Sequence, residues 1–121
     1  MAKILVVDDS DSIRTQLKSL LTEKGHSVVE AADGEDGLST LNGNKDVNLI
    51  ICDVNMPKMD GITMCTKVSE DASVNSIPIF MLTTESNADL KEKGKKAGVR
   101  AWITKPYSDD KLLSAIQKVC G

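Results

Sequence analysis

Five short apolar runs, spaced by longer amphipathic segments, constrain this chain more than any other feature. They are KILVV (3–7), SVVEA (27–31), NLIIC (48–52), PIFML (78–82) and VRAWI (99–103). Most are nearly continuous in apolar residues instead of alternating, the pattern of strands covered on both faces. Between them the spacing turns helical. Ile13, Leu17, Leu20 and Leu21 form an i, i+4, i+7, i+8 stripe, and Gly25 stands where that helix is expected to stop. Leu112, Leu113, Ile116 and Val119 repeat the stripe near the end, with Ser108 as N-cap and Asp109 and Asp110 in the first turn. Ser86 followed by Asp89 predicts a capping box opening the fourth helix, and a thinner stripe predicts a second helix around Gly34 to Leu41. Strands alternating with helices predict an α/β fold. The expected architecture is a single-domain (βα)5, doubly wound parallel sheet over residues 1–121, and no linker, repeat or effector domain is expected.

A chain of 121 residues buries roughly two thirds of its unfolded surface and needs no disulfide or metal to hold a core. Its three cysteines, Cys52, Cys65 and Cys120, show neither a CxxC pair nor zinc-ligand spacing. Cys52 and Cys65 fall on apolar positions and are expected to be buried thiols in a reducing, cytoplasmic setting. No segment approaches membrane-spanning length, and MAKILVVDD holds too short an apolar run for a signal peptide. A net charge of −3 argues against a nucleic-acid surface. The exception is KEKGKKAGVR (91–100), with five basic residues and one acid. It reads either as a solvated helix face or as a docking surface for an acidic partner.

In an open parallel sheet, ligands bind beyond the carboxyl ends of the strands. Asp8 and Asp9 follow the first run, Asp53 the third, Thr83 and Thr84 the fourth, and Lys105-Pro106 the fifth. Each alone has an ordinary explanation, since aspartates cap helices and start turns. Together they set three carboxylates, hydroxyls and an ammonium on one rim. Carboxylates so gathered need a compensating cation. An all-oxygen donor set without His or Cys favours Mg²⁺. A carboxylate beside Mg²⁺ can attack phosphorus, with Lys105 and Thr83 screening the phosphoryl oxygens. No GxGxxG or GxxxxGK[ST] follows the first strand, so nucleotide cradling is unsupported. The only histidine, His26, precedes the second strand on the opposite rim and is expected to be exposed or in a turn.

VVDDS, CDVNMPKMDG, TTE and KPY, in order at successive strand ends, resemble the receiver domains of two-component response regulators, especially the stand-alone, CheY-like chemotaxis type. The resemblance spans the whole chain and implies a flavodoxin-like sheet of order 2-1-3-4-5. It implies Asp53 as phosphoacceptor from a CheA-like histidine kinase or acetyl phosphate. It further implies Mg²⁺ held by Asp9 and Asp53 directly, by Asp8 through water and by the Asn55 carbonyl. Lys105 would pair with the phosphoryl group, before a cis bond to Pro106, and Thr83 would swing in towards it. Trp102 falls at the family's switch aromatic, usually Tyr or Phe, and Thr84 where a smaller residue is usual. Asn55 and Glu85 would tune attack of water on the acyl phosphate. The implied output is partner binding on the fourth helix–fifth strand–fifth helix face by a monomer, with a flagellar motor switch protein as one partner. A phosphate sink or adaptor is the alternative. A haloacid-dehalogenase-type phosphatase, which also uses an Asp nucleophile, would need a second Asp where Asn55 stands.

Overall fold

The computed structural model describes residues 1–121 and contains five strands and five helices in strict alternation. They are β1 (Lys3–Val7), α1 (Asp11–Glu23), β2 (Ser27–Ala31), α2 (Gly34–Asn42), β3 (Leu49–Cys52), α3 (Gly61–Ser69), β4 (Ile79–Thr83), α4 (Ala88–Lys96), β5 (Val99–Thr104) and α5 (Asp109–Cys120). All strand pairs are parallel and the order is β2-β1-β3-β4-β5, as the resemblance implied. No helix is long and apolar enough to cross a membrane.

The near-continuous apolar runs are explained by a core on each face. Successive side chains of a strand point to opposite faces. Leu5, Val7, Ile50, Cys52, Ile79 and Met81 therefore join Met64, Cys65 and Val68 of α3 on one side. Ile4, Val6, Leu49, Ile51, Phe80 and Leu82 join Leu17 and Leu21 of α1 and Leu112 and Ile116 of α5 on the other. Each fully buried Leu, Ile or Phe contributes about 2 kcal/mol relative to exposure. Cys52 and Cys65 are buried free thiols, as their apolar positions predicted.

Helix starts follow side-chain chemistry. Ser10, Asp33, Asp60 and Ser108 each accept an amide hydrogen three residues on, at the heads of α1, α2, α3 and α5. The head of α4 corrects the sequence reading. Asn87, not Ser86, is the N-cap, its side chain accepting from Leu90 N–H, because the strand-to-helix connection runs one residue longer. Gly25, at φ +90°, ends α1 where expected. His26 follows directly on the turn at Lys24 and Gly25, its amide donating to the Leu21 carbonyl, and it is half-buried rather than exposed, its Nδ1 accepting the Ala2 N–H at 3.0 Å.

Two strand ends also differ from expectation. Thr83 is the last residue of β4 instead of lying beyond it, and β5 runs on to Thr104. Within β5 the register slips by one residue. Ile79 faces Val99, but Phe80 faces Ala101, so Arg100 is the extra residue of a bulge. A one-residue slip exchanges the faces of all that follows. Ala101 and Ile103 consequently pack with the α1/α5 core, and Trp102 turns to the α3/α4 side with Val99.

Candidate functional site

The sheet's carboxyl end brings Asp8, Asp9 and Asp53 together, their carboxylate oxygens lying within 4.8 Å of one another. Each stands in the first two residues past its strand, where the backbone leaves the ladder but the core still holds it. Asp8 is 2 % exposed and Asp53 9 %, whereas Asp9 faces solvent. Backbone amides anchor the buried pair. Ser10 N–H donates to Asp8 Oδ1 at 2.9 Å, and Val54 N–H donates to Asp53 Oδ1 at 2.7 Å.

Lys105 supplies the compensating charge. Its Nζ donates to Asp8 Oδ2 at 2.9 Å and to Asp53 Oδ2 at 3.1 Å. The Lys105 amide donates to the Thr83 carbonyl at 2.8 Å, fixing the base of that side chain, and the Lys105–Pro106 peptide is cis. Burial alone would pull the ammonium's pKa down. The two hydrogen bonds and the two carboxylate charges together outweigh it and leave Lys105 above its ordinary value. Two acceptors thus remain poised around one fixed cation, with Asp9 open to solvent beside them.

Beside the carboxylates, Glu85 links three neighbours. Its carboxylate accepts from Asn55 Nδ2 at 2.8 Å, its amide donates to Thr83 Oγ1 at 3.2 Å, and its carbonyl accepts from Trp102 Nε1–H at 2.8 Å. Thr83 is fully buried, and Thr84 is exposed. Every residue singled out at the strand ends therefore lies on this rim, and Asn55, Glu85 and Trp102 are joined to it by hydrogen bonds.

Two supporting residues were not singled out from the sequence. Gly61 opens α3 where an added Cβ would stand 1.9 Å from the Asp53 carbonyl oxygen, so only glycine lets α3 begin this close. Its amide donates to the Val54 carbonyl at 2.8 Å. The Met-Asp-Gly triplet after the turn was the available signal. Arg14, one turn into α1, donates to the Asp8 carbonyl at 2.5 Å and pairs with Asp11 and Glu30. Nothing in its local sequence marks it. Under the site, the Cys52 thiol donates to the Asp53 carbonyl at 3.2 Å. The Cys65 thiol, burial and the nearby carboxylates push its pKa well up, so it stays protonated.

The donor set is chemically suited to a hard divalent cation. It offers oxygens only, from two buried carboxylates and one exposed one, with no imidazole or thiolate. Such an ion at these carboxylates could also bind phosphate oxygens.

The response regulator receiver domain family matches residues 4–117 of this chain. A chemotaxis protein CheY homolog of Campylobacter jejuni is 38 % identical over 120 residues, 98 % of this chain and 92 % of that protein. Protein PilH of Pseudomonas aeruginosa is 34 % identical over 119 residues, 98 % of each chain. Among solved structures, the chemotaxis protein CheY4 of Vibrio cholerae superposes with a TM-score of 0.91 at 39 % identity, covering 98 % of each chain.

Proposed function

Because this chain belongs to the response regulator receiver domain family of two-component signalling proteins, we propose that Asp53 is its phosphoacceptor and that phosphorylation switches its α4–β5–α5 face. The observation that carries this reading is the Lys105 ammonium spanning Asp8 and Asp53 at 2.9 and 3.1 Å in a cluster of three carboxylates. The family acts in signalling and not as turnover enzymes, and Asn55 stands where a phosphatase of the haloacid-dehalogenase type needs an acid.

One Asp53 carboxylate oxygen attacks phosphorus. The bond from phosphorus to the donor's imidazole nitrogen, or to the acetyl phosphate oxygen, breaks, and its electron pair leaves with the donor. The Val54 amide holds the Asp53 carboxyl in one orientation during attack. Lys105 exchanges its carboxylate partner for a phosphoryl oxygen, and the Thr83 hydroxyl offers a second hydrogen bond to it. Asp8, Asp9, Asp53 and the Asn55 carbonyl would hold Mg²⁺, which supplies charge neutralisation of the phosphoryl oxygens. Asn55 and Glu85, bonded to each other, flank the path of hydrolytic water, so Glu85→Ala should change the acyl-phosphate lifetime.

A conformer that holds the phosphoryl group better is populated on phosphorylation, and the exposed lysines of α4 present its charge to an acidic partner. The chemotaxis proteins among its relatives support a role in chemotaxis. On this reading the chain works as a cytoplasmic monomer, phosphorylated by a CheA-like histidine kinase, with a flagellar motor switch protein as candidate partner. The second reading is a stand-alone receiver that acts as a phosphate sink or adaptor without motor binding.

The test is calorimetric binding of an N-terminal motor-switch peptide in Mg²⁺, with and without beryllofluoride. Binding strengthened by the mimic, and lost in Asp53→Asn, is the expected result. Loading without peptide binding would move the protein to the sink or adaptor role. Loading that persists in Asp53→Asn would overturn Asp53 as acceptor.

A further inference from the structure

Glycine is the poorest helix former after proline, yet Gly94 sits buried within the last turn of α4. A Cβ built there would lie 2.8 Å from Cζ3 and 3.3 Å from Cε3 of Trp102, and 3.6 Å from Cδ1 of Ile62. The missing side chain is therefore a notch in α4, and the six-membered ring of the indole fills it. The far edge of the same indole donates to the Glu85 carbonyl at 2.8 Å. The bulge at Arg100 turns the indole to this side of the sheet. The ring is thus held at two points, by shape against α4 and by a directed bond to the β4–α4 connection.

We propose that Gly94 is a positioning residue of the switch. By seating the Trp102 indole it holds the Glu85 backbone, and through Glu85 it sets the Asn55 side chain and the Thr83 hydroxyl. The inference deepens the reading above, because it gives those three residues their place in the phosphorylation response. The physical chain is short. An indole lifted from the notch loses its bond to the Glu85 carbonyl. Glu85 then loses the restraint that lets its amide and carboxylate meet Thr83 and Asn55 together.

The sole tryptophan gives one indole N–H resonance in the ¹⁵N-labelled full chain. Without any phosphoryl mimic, Gly94→Ala is expected to speed exchange of that proton by about fivefold, the loss of roughly one hydrogen bond. It should also shift the Asn55 side-chain amide and the Thr83 and Glu85 amide resonances. Trp102→Phe, which cannot donate, should shift the same resonances in the same direction. Adding Gly94→Ala to Trp102→Phe should shift them no further, because the smaller ring leaves the notch free. Unchanged indole exchange in Gly94→Ala would overturn the seat. Faster exchange with Asn55 and Thr83 unmoved would overturn the positioning role. If Gly94→Ala failed to fold, Trp102→Phe with unmoved Asn55 and Thr83 would do the same. These readouts need no phosphorylation. Failure of Mg²⁺ and beryllofluoride to shift the Asp53 amide would count only against the phosphoacceptor reading.

Discussion

At the amino end of the sheet, Lys3 pairs with Asp46 at 2.9 Å in the open, the Asp46 side chain being 73 % exposed. At the carboxyl end, Lys105 meets Asp8 at the same distance, with side-chain exposures of 13 % and 3 %. The same strands lead to both rims, and the bond lengths do not differ. Water screens the first pair and lets it break at little cost. At the second, water is largely excluded, so each charge there depends on its partner. The carboxyl rim holds charges that could not be buried singly, while the amino rim finishes strand ends with interchangeable polar contacts.

The largest effect should come from closing the space that lets α3 start against Asp53. Gly61→Ala forces the Asp53 carbonyl or the helix to move, and a loss of about 3 kcal/mol in urea unfolding is expected. Next, Lys105→Met leaves Asp8 and Asp53 facing each other without a cation. A loss of about 2 kcal/mol is expected, below that of a fully enclosed pair because the site opens to solvent at Asp9. Adding Asp8→Asn should recover part of that loss, and no recovery would mean that repulsion is not its source. The folded pKa of Lys105 is raised, so its contribution is complete at neutral pH and fades only as pH rises past the ordinary value of 10.5.

Lys3→Met, by contrast, should leave the urea midpoint unchanged. A shift comparable to that of Lys105→Met would erase the distinction between the rims. A slight effect of pH is expected at the same rim from His26, whose pKa burial and then the amino-terminal charge hold below 6.5. The unfolded chain takes up that proton first as pH falls, so stability should decline slightly below about pH 6.5. The decline should flatten in His26→Gln, as read by thermal melts in steps of pH.

Much of the site was legible because its chemistry lies where local patterns end. An apolar strand followed at once by Asp53 is visible without coordinates, and so are Asp8 and Asp9 after the first run. A hydroxyl at the end of an apolar run gives no sign of whether the ladder continues, so the sequence puts Thr83 past its strand when it is the last residue of β4. Ser86 with Asp89 matches a capping box, but the Asn87 side chain can cap equally well, and only the length of the connection decides between them. Arg14 and Gly94 carry no local signal of their roles. A surface-type residue in an amphipathic helix and a glycine in a lysine-rich one look ordinary until their neighbours are known.

By itself, the sequence determined the alternation of strand and helix, the two-sided burial of the sheet and the identity of the polar residues at its carboxyl end. These follow from hydrophobic period and from residue chemistry, which are properties of short segments. The strand order came from family resemblance. Only the tertiary structure decided which charges meet, since Lys105 reaches carboxylates 52 and 97 residues away. It also decided that a bulge at Arg100 turns Trp102 towards α4, where Gly94 has room for it. Register and close approach are set by packing between segments distant in the chain, and no local period encodes them.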